Sequence, residues 1–356
     1  MEPVVLSSGI GDNRATATLY YGQDVRETLR LLPEASVHTV CTSPPYFNLR
    51  DYGKDGQIGL EATPEGFVAA LVEVFREVRR VLRDDGTVWL NLGDSYVGGH
   101  TQEQTEVDIR TAGVGNAQKL VQRRVGTLSG FKSKDLLGIP WRVAFALQAD
   151  GWYLRQDIVW AKPNPMPESV TDRCTKAHEY VFLLAHPDSG GRYYYDADAV
   201  KERAVTPADN RGSTEERKLK GHPTRYGYAN RAADKSWSMP SLAPSSNGRN
   251  RRSVWNVNVA PYTGSHFAVW PPELVRPMVL AGCPVGGTVL DLFSGSGTTG
   301  MVALQEGRHY IGIDLNEDYL SLAMNRVQEL PAPGATSVED DAEEEGGDAF
   351  DLFSGG

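Results

Sequence analysis

The sequence predicts an α/β fold, a mostly parallel sheet with helices on both faces, and three observations predict it. Segments of strand and helix character alternate along the chain at the spacing of βαβ units. One of them, Thr288 to Gly300, is a strand that runs into a Gly-x-Gly-x-x-Gly turn opening a helix. Another, Val37 to Thr42, is a buried strand that ends at a Pro-Pro turn. A hydrophobic share of 40% with 23% charged residues is ordinary for a globular chain of 356 residues.

The elements follow in order. Ala17 to Gly22 reads as a short strand and Asp24 to Pro33 as a helix that the proline ends. After the strand at 37–42, Phe67 to Leu82 carries apolar residues at helical spacing. Gly86 to Gly93 is a strand behind the Asp84-Asp85-Gly86 turn. Pro140 to Gly151 is a helix, and Leu154 to Lys162 and Glu179 to His186 are strands. Pro272 to Gly282 is a helix, His309 to Asn316 contains the strand after the glycine turn, and Glu317 to Leu330 is a last amphipathic helix. The implied organisation is an N-terminal extension (1–16), a first half of the fold (17–199) with a Gly-, Gln- and Thr-rich loop insertion (98–135), a polar inserted region (200–253), a second half (254–330) and a disordered acidic tail (331–356).

Charge is unevenly placed. The chain carries −10, but eight acids and no base lie after Leu330, which leaves −2 for the body. Residues 200–253 hold twelve Lys/Arg against five Asp/Glu, a local +7 that suits phosphate contacts. No run is apolar enough for a membrane span, and the first residues lack a signal-peptide pattern, so the expected compartment is the cytoplasm. Cys41, Cys174 and Cys283 have no CxxC spacing, and no metal site is expected.

Glycines at 295, 297 and 300 lie directly after a strand and at a helix start, where they let the backbone turn sharply against a ligand. Asp314 ends the next strand, nineteen residues after Gly295, and a carboxylate there can accept hydrogen bonds from ribose hydroxyls. A dinucleotide and S-adenosylmethionine both meet this pattern. Asp291, just before the turn, favours the methyl donor, whose ammonium it would face, because a pyrophosphate gains nothing from a nearby carboxylate.

Ser43-Pro44-Pro45-Tyr46 sits at the C-terminal end of a strand, where open α/β sheets hold ligands. Two prolines fix the backbone and leave carbonyls pointing in set directions. An exocyclic amino group of cytosine or adenine is a poor nucleophile because its lone pair is delocalised into the ring. Accepting its two N–H groups, with Ser43 Oγ and the Pro44 carbonyl, would free that lone pair for in-line attack on a methyl group. Tyr46 would stack on a base flipped from the duplex. Cys41 lies within the strand and is not expected to act as a covalent nucleophile.

Together these residues resemble the amino-group DNA methyltransferases, in the group whose Ser-Pro-Pro-Tyr motif precedes the donor motif. The likeness spans most of residues 17–330. It implies a Rossmann-like S-adenosylmethionine-dependent methyltransferase fold in circularly permuted motif order, with residues 200–253 as an inserted target recognition region. It implies Ser43, Pro44, Pro45 and Tyr46 as the catalytic turn. Asp24, Asp291, Phe293, Gly295, Gly297, Thr298, Thr299 and Asp314 would form the donor site. Asp157 to Asn164 and Glu179-Tyr180 resemble strands near the target base. Arg225, Arg249, Arg251 and Arg252 are candidates for DNA contacts, as is Arg50 in a segment just past the catalytic turn that would close over substrate. Serine at the first motif position leans towards cytosine N4, while a hydroxyl accepts an adenine amino proton equally well. The implied partner is double-stranded DNA, with a cognate restriction endonuclease and a monomer or homodimer left open. An NAD(P)-dependent oxidoreductase, an inactive DNA-binding relative, and a methyltransferase for RNA or protein are the alternatives. The first of them leaves the Ser-Pro-Pro-Tyr turn unexplained.

Overall fold

The computed structural model describes residues 2–8, 15–49, 51–97, 130–202, 248–259 and 270–328. In chain order the first half supplies β1 (Val4–Ser8), β2 (Ala15–Tyr21), α1 (Val25–Leu31), β3 (Val37–Thr42), α2 (Pro64–Val81), β4 (Leu82–Leu92), α3 (Ile139–Ala149), β5 (Tyr153–Ala161) and β6 (His178–Ala185). The second half supplies β7 (Val254–Asn256), α4 (Pro272–Gly282), β8 (Thr288–Asp291), α5 (Thr298–Gln305), β9 (His309–Asp314) and α6 (Leu320–Gln328).

The described strands form one sheet in the order β1-β2-β9-β8-β3-β4-β6-β5-β7. Pairing is parallel from β2 through β9, β8 and β3 to β4, and again between β5 and β7. Only β1 on β2 and the two pairings of β6 are antiparallel. The alternating period of the strands decides the layers. Val88, Leu90 and Leu92 of β4 pack with α1, α2 and α3 on one face, where Phe67, Leu71, Phe75 and Leu147 are buried. Trp89 of the same strand packs on the other face with α4, α5 and α6, among Leu274, Met278, Val302 and Ala323. Helix α2 starts where Thr63 accepts from the Gly66 N–H at 3.0 Å with Pro64 behind it. It is held by burial of Phe67, Leu71, Val74, Phe75 and Val78, each worth about 1.5–3 kcal/mol.

Several boundaries differ from the sequence reading. Residues 4–8, set apart as part of an extension, pair with Ala15 to Leu19 and form an edge of the sheet. The loop insertion ends in a fixed contact, because the Val97 N–H donates to the Asp135 carbonyl at 2.8 Å and the Lys134 N–H to the Val97 carbonyl at 3.0 Å. Residues 98–129 and 203–247, most of the two inserted regions, lie outside the described residues, as do Arg50, Arg225 and the tail after Gln328. No helix among the described residues is long and apolar enough to cross a membrane.

Candidate active site

The parallel strands all present their C-terminal ends to one edge of the sheet, and the connections change direction between β8 and β3. Strand β8 passes on to β9 on one side and β3 to β4 on the other. A crevice opens at such a point. Here it is a cavity of about 490 Å³ whose wall includes both the Ser-Pro-Pro-Tyr turn, Ser43 to Tyr46, and the glycine turn, Leu292 to Ser296.

Thr42, at the end of β3, fastens the two turns together. Its Oγ1 donates to Asp291 Oδ1 at 2.8 Å and accepts from the Leu292 N–H at 3.2 Å. Asp291 also accepts from Thr299 Oγ1 at 2.6 Å and from the Phe293 N–H at 3.1 Å. It is buried and does not line the cavity. Burial pushes its carboxyl up to about 6, while these donors pull the other way. Three donors of the fold thus orient Asp291 behind the wall at the end of β8, the position at which the sequence led us to expect it to face a ligand ammonium. Gly297 and Thr299 also lie off the wall. Gly297 turns with φ +79° to start α5, and a Cβ there would meet Ala323 at 3.0 Å.

Asp24, Phe293, Gly295, Thr298 and Asp314 do line the cavity. The Gly295 N–H donates to Asp314 Oδ2 at 2.7 Å and the Asn316 N–H to Oδ1 at 2.8 Å, which aim the carboxylate along the wall. Burial pushes Asp314 up to about 6, against the pull of those two N–H groups. Beneath the turn, Tyr21 Oη and Tyr310 Oη each bond Ser294 Oγ at 2.7 Å, and Tyr21 also donates to the Gly295 carbonyl at 2.9 Å. Asp24 caps α1 by accepting from the Arg26 N–H at 2.7 Å and pairs with the Arg26 guanidinium at 2.6 Å. That pairing, with its hydrogen bonds, holds its carboxyl below the usual range despite partial burial.

Elsewhere on the cavity wall, Tyr46 is held at its hydroxyl end. Its Oη donates to Glu179 Oε2 at 2.5 Å and also lies 3.1 Å from Asn91 Oδ1, which accepts from Ser43 Oγ at 3.1 Å. Asn91 in turn donates to the Tyr180 carbonyl at 3.1 Å, and Lys162 pairs with Glu179. Gly93 lies under the ring, where an added Cβ would be 2.4 Å from Tyr46 Cε2. Burial first, then the Glu179 charge, pushes the Tyr46 hydroxyl well above its usual range, so it stays a neutral donor. Cys41 is also buried, and its thiol is pushed well up. A thiol so placed is no nucleophile.

Asn91, Lys162 and Glu179 therefore join the candidate site, with Leu49 and Tyr52 of the segment past the Ser-Pro-Pro-Tyr turn also on the wall. The sequence carried signals for the first three. Asn91 is a polar residue inside an apolar strand, and Lys162 and Glu179 stand at the ends of strands. The arginine candidates fare differently. Arg249 Nε and Arg252 Nε bond the same Glu202 oxygen at 3.1 and 2.9 Å, and Arg251 lies over the Trp255 ring at 4.5 Å. Arg249 and Arg252 thus share Glu202 at the base of the inserted region, with their side chains 41% and 67% exposed.

A Rossmann-like sheet that brings a nucleoside-type carboxylate and a rigid Ser-Pro-Pro-Tyr turn onto one cavity defines the class of S-adenosylmethionine-dependent amino-methyltransferases. Comparison with known proteins narrows this. The family model described as DNA methylase, of the N6/N4 type, matches residues 37–325. The chain is 46% identical over 312 residues to the Type II methyltransferase M.Cfr9I of Citrobacter freundii, covering 88% of each chain. It is 45% identical over 304 residues to the Type II methyltransferase M.SmaI of Serratia marcescens, covering 85% of this chain and 88% of that one. In fold it resembles the cytosine-N4-specific PvuII DNA methyltransferase, with a TM-score of 0.54 and 17% identity over 87% of this chain and 86% of that one. A Thermus thermophilus protein solved in complex with S-adenosyl-L-methionine aligns with a TM-score of 0.51 and 25% identity, over 88% of this chain and 94% of that one. The protein belongs to the N6/N4 DNA methylase family and is a DNA methyltransferase. The oxidoreductase alternative falls with that membership.

Proposed function

We propose that the protein methylates the exocyclic N4 of a cytosine flipped out of double-stranded DNA, with S-adenosylmethionine as donor. The observation that carries this reading is the single cavity shared by Asp314 and Gly295 at one end and by Ser43, Pro44 and Tyr46 at the other. The donor end fits: Asp314 can accept from ribose hydroxyls, and Phe293 offers apolar surface. When bound, the donor supplies an electrophilic methyl group on a sulfonium.

The protein's own residues do the rest. Ser43 Oγ, its proton directed at Asn91, keeps lone pairs for one amino N–H, and the Pro44 carbonyl takes the other. Both contacts strengthen as positive charge develops on nitrogen. Tyr46 presents a ring face whose tilt Glu179 and Asn91 fix. A serine in place of a carboxylate at the first motif position favours cytosine. In this reading residues 17–199 and 254–330 form the two halves of the catalytic domain, and the +7 segment at 200–253 reads the site. The Type II relatives extend the reading to a modification enzyme matched to a restriction endonuclease.

The test is transfer of a labelled methyl group to duplex DNA alongside equilibrium donor binding. Ser43→Ala and Tyr46→Ala should each lose most transfer, about a hundredfold, while donor affinity stays within about threefold. Unchanged turnover in either variant refutes the assigned roles.

A further inference from the structure

Between Lys162 and Glu179, both on the cavity wall, runs the loop that joins β5 to β6. Met166 in this loop is 85% exposed, the highest exposure among the large hydrophobic side chains of the described residues. Its neighbours make that exposure a fixed feature. Pro163, Pro165 and Pro167 restrict the backbone on both sides. Asn164 donates to the Val259 carbonyl at 3.0 Å and accepts from the Val259 N–H at 2.8 Å, and Val259 lines the cavity. Further along, Arg173 pairs with Glu168 at 2.7 Å and lies over the Tyr96 ring at 4.0 Å, and Lys176 Nζ donates to the Asp94 carbonyl at 2.6 Å.

Position follows from chain length. Met166 is two residues beyond Asn164 and four beyond Lys162, so its Cα lies within about 7 Å and about 14 Å of theirs. An apolar side chain is thus held in water on the loop that leaves the cavity wall at Lys162. The acids beside it are matched, Glu168 by Arg173 and Asp172 by Lys134 at 2.7 Å, so the loop presents little net repulsion to phosphates.

A duplex that gives up one base to this cavity loses stacking worth a few kcal/mol, and an apolar wedge in the stack recovers part of it. Methionine suits the task because its unbranched, polarizable chain adapts to an irregular gap. Resting on the reading of flipped duplex DNA as substrate, we propose that Met166 inserts into the base stack beside the extruded target and holds the duplex open.

The test compares single-turnover methylation of two DNAs that carry the same recognition site. One is fully paired and the other has an abasic position opposite the target base, which removes the pairing to be broken. Met166→Ala should slow transfer to the paired duplex about tenfold or more and stay within about threefold of the parent enzyme on the abasic-opposed duplex. Met166→Leu should restore most of the rate, and donor affinity should be unchanged in both variants. An unaltered rate on paired DNA overturns the proposal. So does an equal loss on both DNAs, which would assign Met166 to folding or to the cavity itself. Failure of the unmodified enzyme to methylate either DNA would overturn the substrate reading as well, and is told apart by appearing without any substitution.

Discussion

Gly93→Ala tests whether the tilt of Tyr46 governs the rate. The added Cβ would stand 2.4, 2.9 and 3.0 Å from Cε2, Cδ2 and Cζ of the ring. Ordinary contact needs about 3.5–4.0 Å, so the ring must shift by about 1 Å. The Oη end cannot follow freely, because Glu179 holds it at 2.5 Å and Asn91 lies at 3.1 Å. A 1 Å misplacement of a positioning group costs about a hundredfold in rate, or about 2.7 kcal/mol of barrier. Overpacking of this kind also costs about 1–3 kcal/mol of stability, which a thermal melt will register without loss of the fold. Donor binding, centred on Gly295 and Asp314, should be nearly unchanged. Single-turnover transfer to duplex DNA with saturating donor is the assay. A rate within threefold of the parent enzyme, in a protein that melts cooperatively, would refute the claim that ring placement limits the chemistry.

Two further outcomes follow from the two ends of the cavity. Glu179→Ala removes the acceptor that holds Tyr46 and leaves Lys162 without its partner; single-turnover transfer should fall about tenfold or more with donor affinity retained, and Glu179→Gln should lose less because it still accepts from the hydroxyl. Acid should act on Asp314 in two opposite senses. Its folded value of about 6 lies above the ordinary carboxyl value, so protonation favours the donor-free fold, and this group's contribution to stability rises as pH falls from about 6 towards 4. A protonated carboxyl has lost acceptor capacity, so donor affinity should fall through the same window, and Asp314→Asn should bind weakly at every pH in a titration from 5 to 8.

The sheet and both turns were legible because their signals are local. Alternating apolar periods mark β3, α2 and β4, and the glycine turn and Pro-Pro turn are defined by backbone restrictions of a few adjacent residues. What escaped is set by contacts between distant positions or by elements too short to show a period. Strand β7 is three residues long and is defined by its register on Val159 to Ala161, and β1 by pairing with β2. The Tyr46–Glu179 bond spans 133 positions, so the sequence showed an acid at a strand end without showing what it held. Asp291 was placed beside the glycine turn, yet only the fold reveals that Thr42, 249 positions away, and Thr299 both donate to it. The arginines of 249–252 illustrate the same limit, since net charge counts Glu202 as one acid among five and does not show that two of them share it.

Amino methylation of cytosine by a hydroxyl-led turn leaves a distinct mark on DNA. It is tested most directly by sequencing DNA modified by the purified protein, with a method that separates N4-methylcytosine from N6-methyladenine. N4-methylcytosine should appear at one position of a defined site, and none after Ser43→Ala. N6-methyladenine at that site, or DNA left unmodified by the intact protein, would contradict it.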